Sequence, residues 1–183
     1  MGGSGILPTC IHKNKLYFLF GKENRFDKTP GWCDFGGGKE KGESFMKNAL
    51  REGTEELTGF LGSEKDLDKL LKKHGTYNVH FDSGKYRIHI FPLDYDEKLP
   101  FYYNNNQRFL QKKLEDNLIK NSRIFEKAEI KWVCVDDIPK MRSEFRSYFQ
   151  PVADDICNQK NEIYSFINKS KRENKNRTRK NRF

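Results

Sequence analysis

Three glutamates at helical spacing, Glu52, Glu55 and Glu56, are the residues of this chain best suited to chemistry. On an α-helix, at about 100° per residue, their side chains fall within an arc of about 100°. Carboxylates held so close repel one another and raise one another's pKa, which gives a purely structural face little reason to exist. A hard divalent cation that binds oxygen ligands would remove this penalty. The spacing therefore predicts a metal site on a helix.

The residues around these glutamates predict a helix that follows a glycine-rich turn, Gly36-Gly37-Gly38. Ser44 or Glu43 can cap the first turn, and Gly59 suits the left-handed conformation that ends many helices. An apolar stripe at helical spacing lies beside the carboxylates and consists of Met46, Ala49, Leu50, Gly53 and Leu57. The helix is therefore expected to bury one face and to present carboxylates on the next.

Residues 37–59 resemble the Nudix box. The family pattern is a glycine, five residues, a glutamate, seven residues, Arg-Glu, an aliphatic residue, any residue, Glu-Glu, any residue and a glycine. Gly37 begins the pattern here, Glu43 follows at the same spacing, and residues 51–56, REGTEE, form its core. Gly53 takes the aliphatic position, and the closing Gly59 comes one position late. A solvated acidic helix face would leave the glycine turn and this spacing unexplained.

The resemblance implies an α/β fold, the Nudix-type α/β/α sandwich with a mixed sheet. It also implies an enzyme, a hydrolase of phosphoanhydride bonds that cleaves a nucleoside diphosphate linked to another group, X. The implied cofactor is Mg²⁺, with Mn²⁺ as a substitute. The strands and helices predicted from hydrophobic patterns alternate along the chain, which agrees with this fold class.

The resemblance also implies roles for individual residues. Glu52, Glu55 and Glu56 are predicted metal ligands, with Glu56 the best single choice, and the carbonyl oxygen of Gly37 is a further candidate. Glu55 or an acidic residue outside the motif would take the proton from the attacking water. The candidates outside the motif are Glu126 and Glu129.

Four other residues of the motif region are predicted to support the site. Arg51 would position its neighbours by ion pairing, and Glu43 would tether the glycine loop to the helix. Lys39 and Lys41 would contact phosphates, although exposed lysines are more often only solvated.

Outside the motif, the patterns predict a hairpin over residues 6–21 that turns at Lys13-Asn14. A short strand over 31–35 includes Trp32, which is expected to pack rather than to bind. His80 and His89 are expected on strands, with exposure favoured over function. The remaining predicted elements are a helix over 63–75, strands over 76–93 with a turn at 82–84, a packed or base-stacking aromatic loop over 100–106, a helix over 106–118, a strand over 124–135 and helices over 140–168.

Charge and length predict one domain over residues 1–168 and a basic, disordered tail over 169–183. The net charge is +9, and the tail holds eight basic residues and one acidic residue. Such a tail could solubilise the protein, contact RNA or act as a nuclear address. The opening segment, MGGSG at 1–5, resembles a linker or the remnant of an expression tag.

Targeting signals and cysteine spacing favour an intracellular, cytoplasmic protein. No apolar run approaches the length of a membrane span and no signal-peptide pattern is visible, so no membrane partner is expected. The four cysteines form no close pair, which favours reduced thiols over a disulfide or zinc site. They are Cys10, Cys33, Cys134 and Cys157.

The favoured substrate is the 5′ cap of mRNA, because the positive charge suits a phosphate backbone. The turn DFGGG at 34–38 and the segment EKAEIKWV at 126–133 also resemble viral mRNA-decapping Nudix proteins. The first alternative is a hydrolase of dinucleoside polyphosphates, nucleotide sugars or diphosphoinositol phosphates. The second is an inactive module that binds a nucleotide or RNA, and the complete set of glutamates argues against it.

Overall fold

The structure is a computed structural model that describes residues 2–122 and 125–180. Seven strands form one mixed sheet: β1 Gly3–His12, β2 Lys15–Glu23, β3 Trp32–Cys33, β4 Phe35–Gly38, β5 Tyr77–Phe81, β6 Tyr86–Pro92 and β7 Lys127–Cys134. The path β3-β2-β1-β6-β5 runs through the sheet, β4 pairs with β1, and β7 pairs with β2. The β1–β6 pair is parallel and the others are antiparallel.

Helices pack on both sides of this sheet. They are α1 Phe45–Glu56, α2 Glu64–His74, α3 Lys98–Lys113, α4 Asp116–Asn121, α5 Gln150–Asn158 and α6 Lys160–Lys180. Successive side chains of β2 point to opposite faces, as the strand repeat requires. Phe18 and Phe20 pack with Phe149 of the α5–α6 side, whereas Leu19 packs with Leu50 of the α1 side. The predicted α/β/α sandwich with a mixed sheet is therefore confirmed.

The opening segment is part of the central strand, so the prediction that it is a linker is wrong. Gly3, Ser4 and Gly5 pair with β4 on one side and with β6 on the other. Ser4 is fully buried, and its backbone N–H donates to the side-chain oxygen of Asn48 in α1 at 2.8 Å. Small residues let three strands and a helix approach one another here, which composition alone does not reveal.

Both predicted hairpins are confirmed. Lys13 and Asn14 join β1 to β2 with positive φ angles of 47° and 62°, which suit a tight turn between twisted strands. Residues 82–84 join β5 to β6 in the same left-handed region. In α2 the predicted cap, Ser63, accepts from the backbone N–H of Asp66, and Gly75 ends the helix.

The structure differs from the sequence prediction between residues 98 and 121. The aromatic segment over 100–106 is not a loop but the first half of α3, and the helix expected over 106–118 is divided between α3 and α4. Pro100 lies in the first turn, where a missing N–H costs nothing. Tyr103 and Gln107, four residues apart, are the buried positions of α3.

The C-terminal part contains a 3-10 helix, Pro139–Glu144, followed by α5 and α6. The boundary predicted at residue 168 falls within α6. Ser170 is buried and its hydroxyl donates to the backbone oxygen of His74 at 2.9 Å. Residues 181–183 of the predicted tail lie outside the described residues. Among the residues that are described, no helix has the length and apolar character needed to cross a membrane.

Candidate active site

A polar cleft of about 570 Å³ opens where the glycine turn, α1, α4 and the start of β7 meet. Glu52, Glu55 and Glu56 of α1 form one wall, as their helical spacing predicts. The other lining residues are Glu23, Asn24, Phe26, Asp27, Gly36, Gly37, Gly38, Glu40, Arg51, Lys120, Glu126 and Arg146. Acidic groups outnumber basic ones, so the cleft suits a cation that would then attract phosphate.

Glu52, Glu56 and Glu126 each offer a carboxylate oxygen, and these oxygens lie within 4.8 Å of one another. One carboxylate oxygen of Glu56, Oε2, is buried and has no hydrogen-bond partner among the described residues. A buried carboxylate oxygen without a partner is costly. A hard cation would satisfy it, so the donor set fits Mg²⁺ or Mn²⁺.

Helix α1 fixes the positions of the Glu52 and Glu56 carboxylates. Ser44 accepts a hydrogen bond from the backbone N–H of Lys47 and caps the first turn. The unusual Gly53 packs directly under Ile6 of β1, because a Cβ added to Gly53 would lie 2.5 Å from the Cδ1 atom of Ile6. Ile6 thus occupies the volume of the missing aliphatic side chain, which explains this departure from the family pattern.

Gly37 brings the glycine turn against the helix. A Cβ added to Gly37 would lie 2.7 Å from Oε1 of Glu52, so a side chain here would displace that carboxylate from its present position. The backbone oxygen of Gly37 lies near Gly3 of β1, at 2.5 Å from where a Cβ on Gly3 would be. The ligand role of this oxygen stays a prediction.

Arg51 lies at the centre of an ion-pair network that joins the turn to the helix. Its guanidinium donates to Glu43 at 3.1 Å and to Glu52 at 2.8 Å, and it lies 3.5 Å from Glu55. Glu43 in turn accepts from the backbone N–H of Glu40 at 2.8 Å. These hydrogen bonds from Arg51 and Glu40 lower the pKa of Glu43 to about 2. Both residues have the contacts that positioning and loop support require.

The central residue that sequence reasoning missed is Lys127, the first residue of β7. It is fully buried, and its ammonium group lies 3.2 Å from Glu56 and also contacts Glu23 and the Cys33 sulfur. Burial raises the pKa of Glu56 in spite of this neighbouring charge. Burial alone would lower the pKa of Lys127, but the Cys33 sulfur and the carboxylates of Glu56 and Glu23 raise it above its ordinary value. Lys127 is therefore a fixed internal cation beside Glu56, which lines the cleft.

Of the two acidic candidates outside the motif, the structure brings one to the cleft. Glu126 lies beside Glu52, and burial together with the Glu52 charge raises its pKa. Glu129 lies opposite Lys22 in the β2–β7 ladder and is not among the lining residues described.

The lysines predicted to contact phosphate lie elsewhere. Lys39 places its ammonium 4.3 Å from the ring centre of Phe45, and Lys41 is exposed on the loop before α1. The cleft is lined instead by Lys120 of α4 and by Arg146, which pairs with Glu23 and Asp27. Sequence spacing gives no signal for either residue, because both come from distant parts of the chain.

The other residues considered from sequence lie outside the cleft. Trp32 is buried in the core on the α5 side, as expected for a packing residue. His80 is exposed on β5. His89 is buried on β6, where burial and the nearby charge of Arg87 lower its pKa to about 4, and its Nδ1 atom lies 2.6 Å from the oxygen of Asn78.

The burial of Asp34, between β3 and β4, predicts how the stability of the fold depends on pH. It is fully buried beside the Tyr86 hydroxyl, which donates to it at 3.0 Å, and burial raises its pKa from 3.8 to about 6. The folded state thus holds this proton more tightly than the unfolded state. Its contribution to stability is present at about pH 4 and is lost as the pH rises through about 6.

We expect the free energy of unfolding of Asp34→Asn, relative to that of wild type, to rise by about 2–3 kcal/mol between about pH 4 and pH 8. Urea denaturation at both values measures this difference, and any constant cost of the amide cancels. An equal free-energy difference at the two pH values would contradict the burial of an ionised Asp34.

Several solved structures are similar to this chain. The Nudix hydrolase RenU from M. smegmatis matches 89% of this chain and 88% of its own, at 14% identity and a TM-score of 0.51. The Ap4A hydrolase of C. elegans covers 90% and 96%, at 13% identity and a TM-score of 0.44. The MutT protein of Methanosarcina mazei covers 94% of each chain, at 18% identity and a TM-score of 0.41. No family model and no curated protein matches the chain.

The likeness to RenU shows that the chain has the Nudix fold. The sequence resemblance to the Nudix box is thereby confirmed at the level of the fold.

Proposed function

We propose that this protein is a Mg²⁺-dependent Nudix pyrophosphohydrolase. The observation that carries the proposal is the cluster formed by Glu52 and Glu56 of the motif helix and Glu126 before β7, whose carboxylate oxygens lie within 4.8 Å of one another in a Nudix fold. Oε2 of Glu56, which has no hydrogen-bond partner among the described residues, is an oxygen that a bound cation would satisfy. The substrate class is a nucleoside diphosphate linked to X.

The glutamates would hold the metal and leave Arg51 to fix their orientation. A bound divalent cation neutralises phosphate oxygens and makes its water more acidic. Glu52 and Glu56 are the ligands proposed from α1, with Glu55 further toward the cleft mouth, where its side chain is 27% exposed. Arg51 contacts Glu52 and Glu55, so it holds both against their mutual repulsion.

Glu126 is the group we assign to accept the proton of the attacking water. Its carboxylate lies in the cluster, and its raised pKa moves it toward the value that suits a general base near neutral pH. Glu55 is the alternative, since it lines the same cleft. Lys120 is an exposed cation on the cleft wall and replaces Lys39 and Lys41 as the proposed phosphate contact.

We favour capped RNA as the substrate over a small molecule. The net charge of +9 suits a long polyanion, although the glutamates make the cleft itself acidic. Charge outside the cleft would therefore hold the RNA chain, while the cleft receives the 5′–5′ triphosphate bridge of the cap. Such binding releases counterions and weakens steeply with salt.

The experiment compares capped RNA, a dinucleoside polyphosphate, a nucleotide sugar and a diphosphoinositol phosphate, each with Mg²⁺ and with EDTA. We expect hydrolysis only with Mg²⁺, and we expect kcat/KM for capped RNA to fall several-fold more steeply with salt than that for any small substrate. Preference for a small substrate at every salt concentration would replace the RNA assignment. Binding without turnover of all four would identify an inactive binding module instead.

A further inference from the structure

Helix α3 exposes three large aromatic side chains to solvent. Phe101, Tyr102 and Phe109 are 63%, 62% and 60% exposed. Phe101 and Tyr102 also contact each other edge to face, with ring centres 5.4 Å apart. At helical spacing Phe101 and Phe109 lie within about 80° of each other around the axis, so they belong to one face. Exposed aromatic residues gathered on one helix are uncommon and mark binding surfaces.

Basic and amide side chains interleave with these rings. Helix α3 contains no acidic residue, and its four basic residues are Lys98, Arg108, Lys112 and Lys113. Around the helix axis, Asn105, Arg108 and Lys112 all lie within about 40° of Phe101, on the same face as the rings. We call this surface, formed by Phe101, Tyr102, Asn105, Arg108, Phe109, Lys112 and Lys113, the α3 face.

The opposite side of α3 attaches this helix to α1 and β7. Tyr103 donates to the backbone oxygen of Glu56 at 3.0 Å, and Asn104 exchanges two hydrogen bonds with the backbone of Ile130. These contacts anchor α3 without using the exposed rings. The next helix, α4, carries Lys120 into the cleft wall. Helix α3 is therefore bonded directly to the helix that carries the proposed metal ligands.

We propose that the α3 face binds single-stranded RNA. This inference rests on the proposed function, since it gives the RNA chain of a capped substrate its place on the protein. Aromatic rings accept the face of any base, and Arg108 and the lysines pair with the intervening phosphates. An acidic-protein partner would use the charges but would leave the three rings without stacking partners. The combination of rings and basic groups thus fits RNA best.

The test measures binding of an uncapped, fluorescently labelled single-stranded RNA by anisotropy in EDTA, where no hydrolysis occurs. The double variant Phe101→Leu/Phe109→Leu keeps apolar area but removes stacking, and we expect about tenfold weaker binding. Lys112→Ala/Lys113→Ala should weaken binding and reduce the slope of log affinity against log salt by about 1.4. Both variants should retain wild-type hydrolysis of a dinucleoside polyphosphate.

The matched control is Lys65→Ala/Lys73→Ala on α2, which removes the same charge from two exposed lysines. Equal weakening by the α2 and α3 lysine variants would show only a general charge effect and would overturn the inference. Full RNA binding by the leucine variant would also overturn it. A wild-type dimer in sedimentation that α3 variants dissociate would assign the face to a second copy of the chain instead. The binding assay needs no turnover. RNA binding with no hydrolysis of any substrate would therefore reject the proposed function but would still support the α3 face as an RNA-binding surface.

Discussion

Glu56→Gln is expected to lower Mg²⁺-dependent kcat/KM by about 10³-fold or more while leaving the fold intact. Gln has the shape of Glu and can still accept from Lys127, so the helix and the core lose little. It cannot supply the negative oxygen that a hard cation requires, and the buried Oε2 position loses its charge. Electrostatic stabilisation of the developing phosphate charge is lost with the ligand.

Two measurements separate this role from general damage. Mn²⁺ titration followed by electron paramagnetic resonance should show weaker binding for Glu56→Gln, independent of activity. Glu129→Gln is the matched control, since it changes a glutamate of β7 that does not line the cleft. Near-wild-type turnover by Glu56→Gln, or equal losses in the two variants, would refute the ligand assignment.

The motif region was predictable because its information is local. Helical spacing alone places Glu52, Glu55 and Glu56 on one side of α1, and the cap at Ser44 lies one residue before the helix. A hydrogen bond also joins Arg51 to Glu43 in the loop just before α1, only eight residues away along the chain. Interactions between residues close in sequence leave a pattern that a single chain can show.

The internal cation was not predictable because it depends on strand pairing. Glu23 ends β2 and Lys127 begins β7, and the antiparallel register with a bulge places them opposite each other. Their separation along the chain hides this pairing, and a lysine at a strand start is ordinarily solvated. The same limit applies to Arg146, which reaches Glu23 from the segment before α5.

The first half of α3 was missed for a different reason. Its segment, PFYYNNN, is rich in amides and aromatics, which favour loops or strands over helices. Tertiary contacts outweigh that preference, since Tyr103 and Asn104 bond to the backbone of α1 and β7. Local propensity is a weak guide where a few buried hydrogen bonds fix the backbone.

Lys127→Met is expected to destabilise the metal-free protein by about 3–5 kcal/mol. The substitution leaves Glu56 as a buried carboxylate without its neighbouring cation. Glu23 keeps its ion pair with Arg146, so Glu56 carries most of the loss. Urea denaturation in EDTA near neutral pH measures the change. Lys127→Met should also gain more stability from Mg²⁺ than wild type gains, because the metal would supply the missing positive charge.

Double variants identify which carboxylate is responsible. Glu56→Gln should recover most of the stability that Lys127→Met loses, because it removes the buried charge left unpaired. Glu23→Gln should recover much less, since Arg146 already neutralises Glu23. The coupling free energy from these double-mutant cycles should be large between Lys127 and Glu56 and small between Lys127 and Glu23. Two outcomes would contradict this role of Lys127: equal recovery of stability by both double variants, or a loss below about 1 kcal/mol for Lys127→Met. Either would mean that water or rearrangement screens Glu56, and that Lys127 does not stabilise the metal-free cleft.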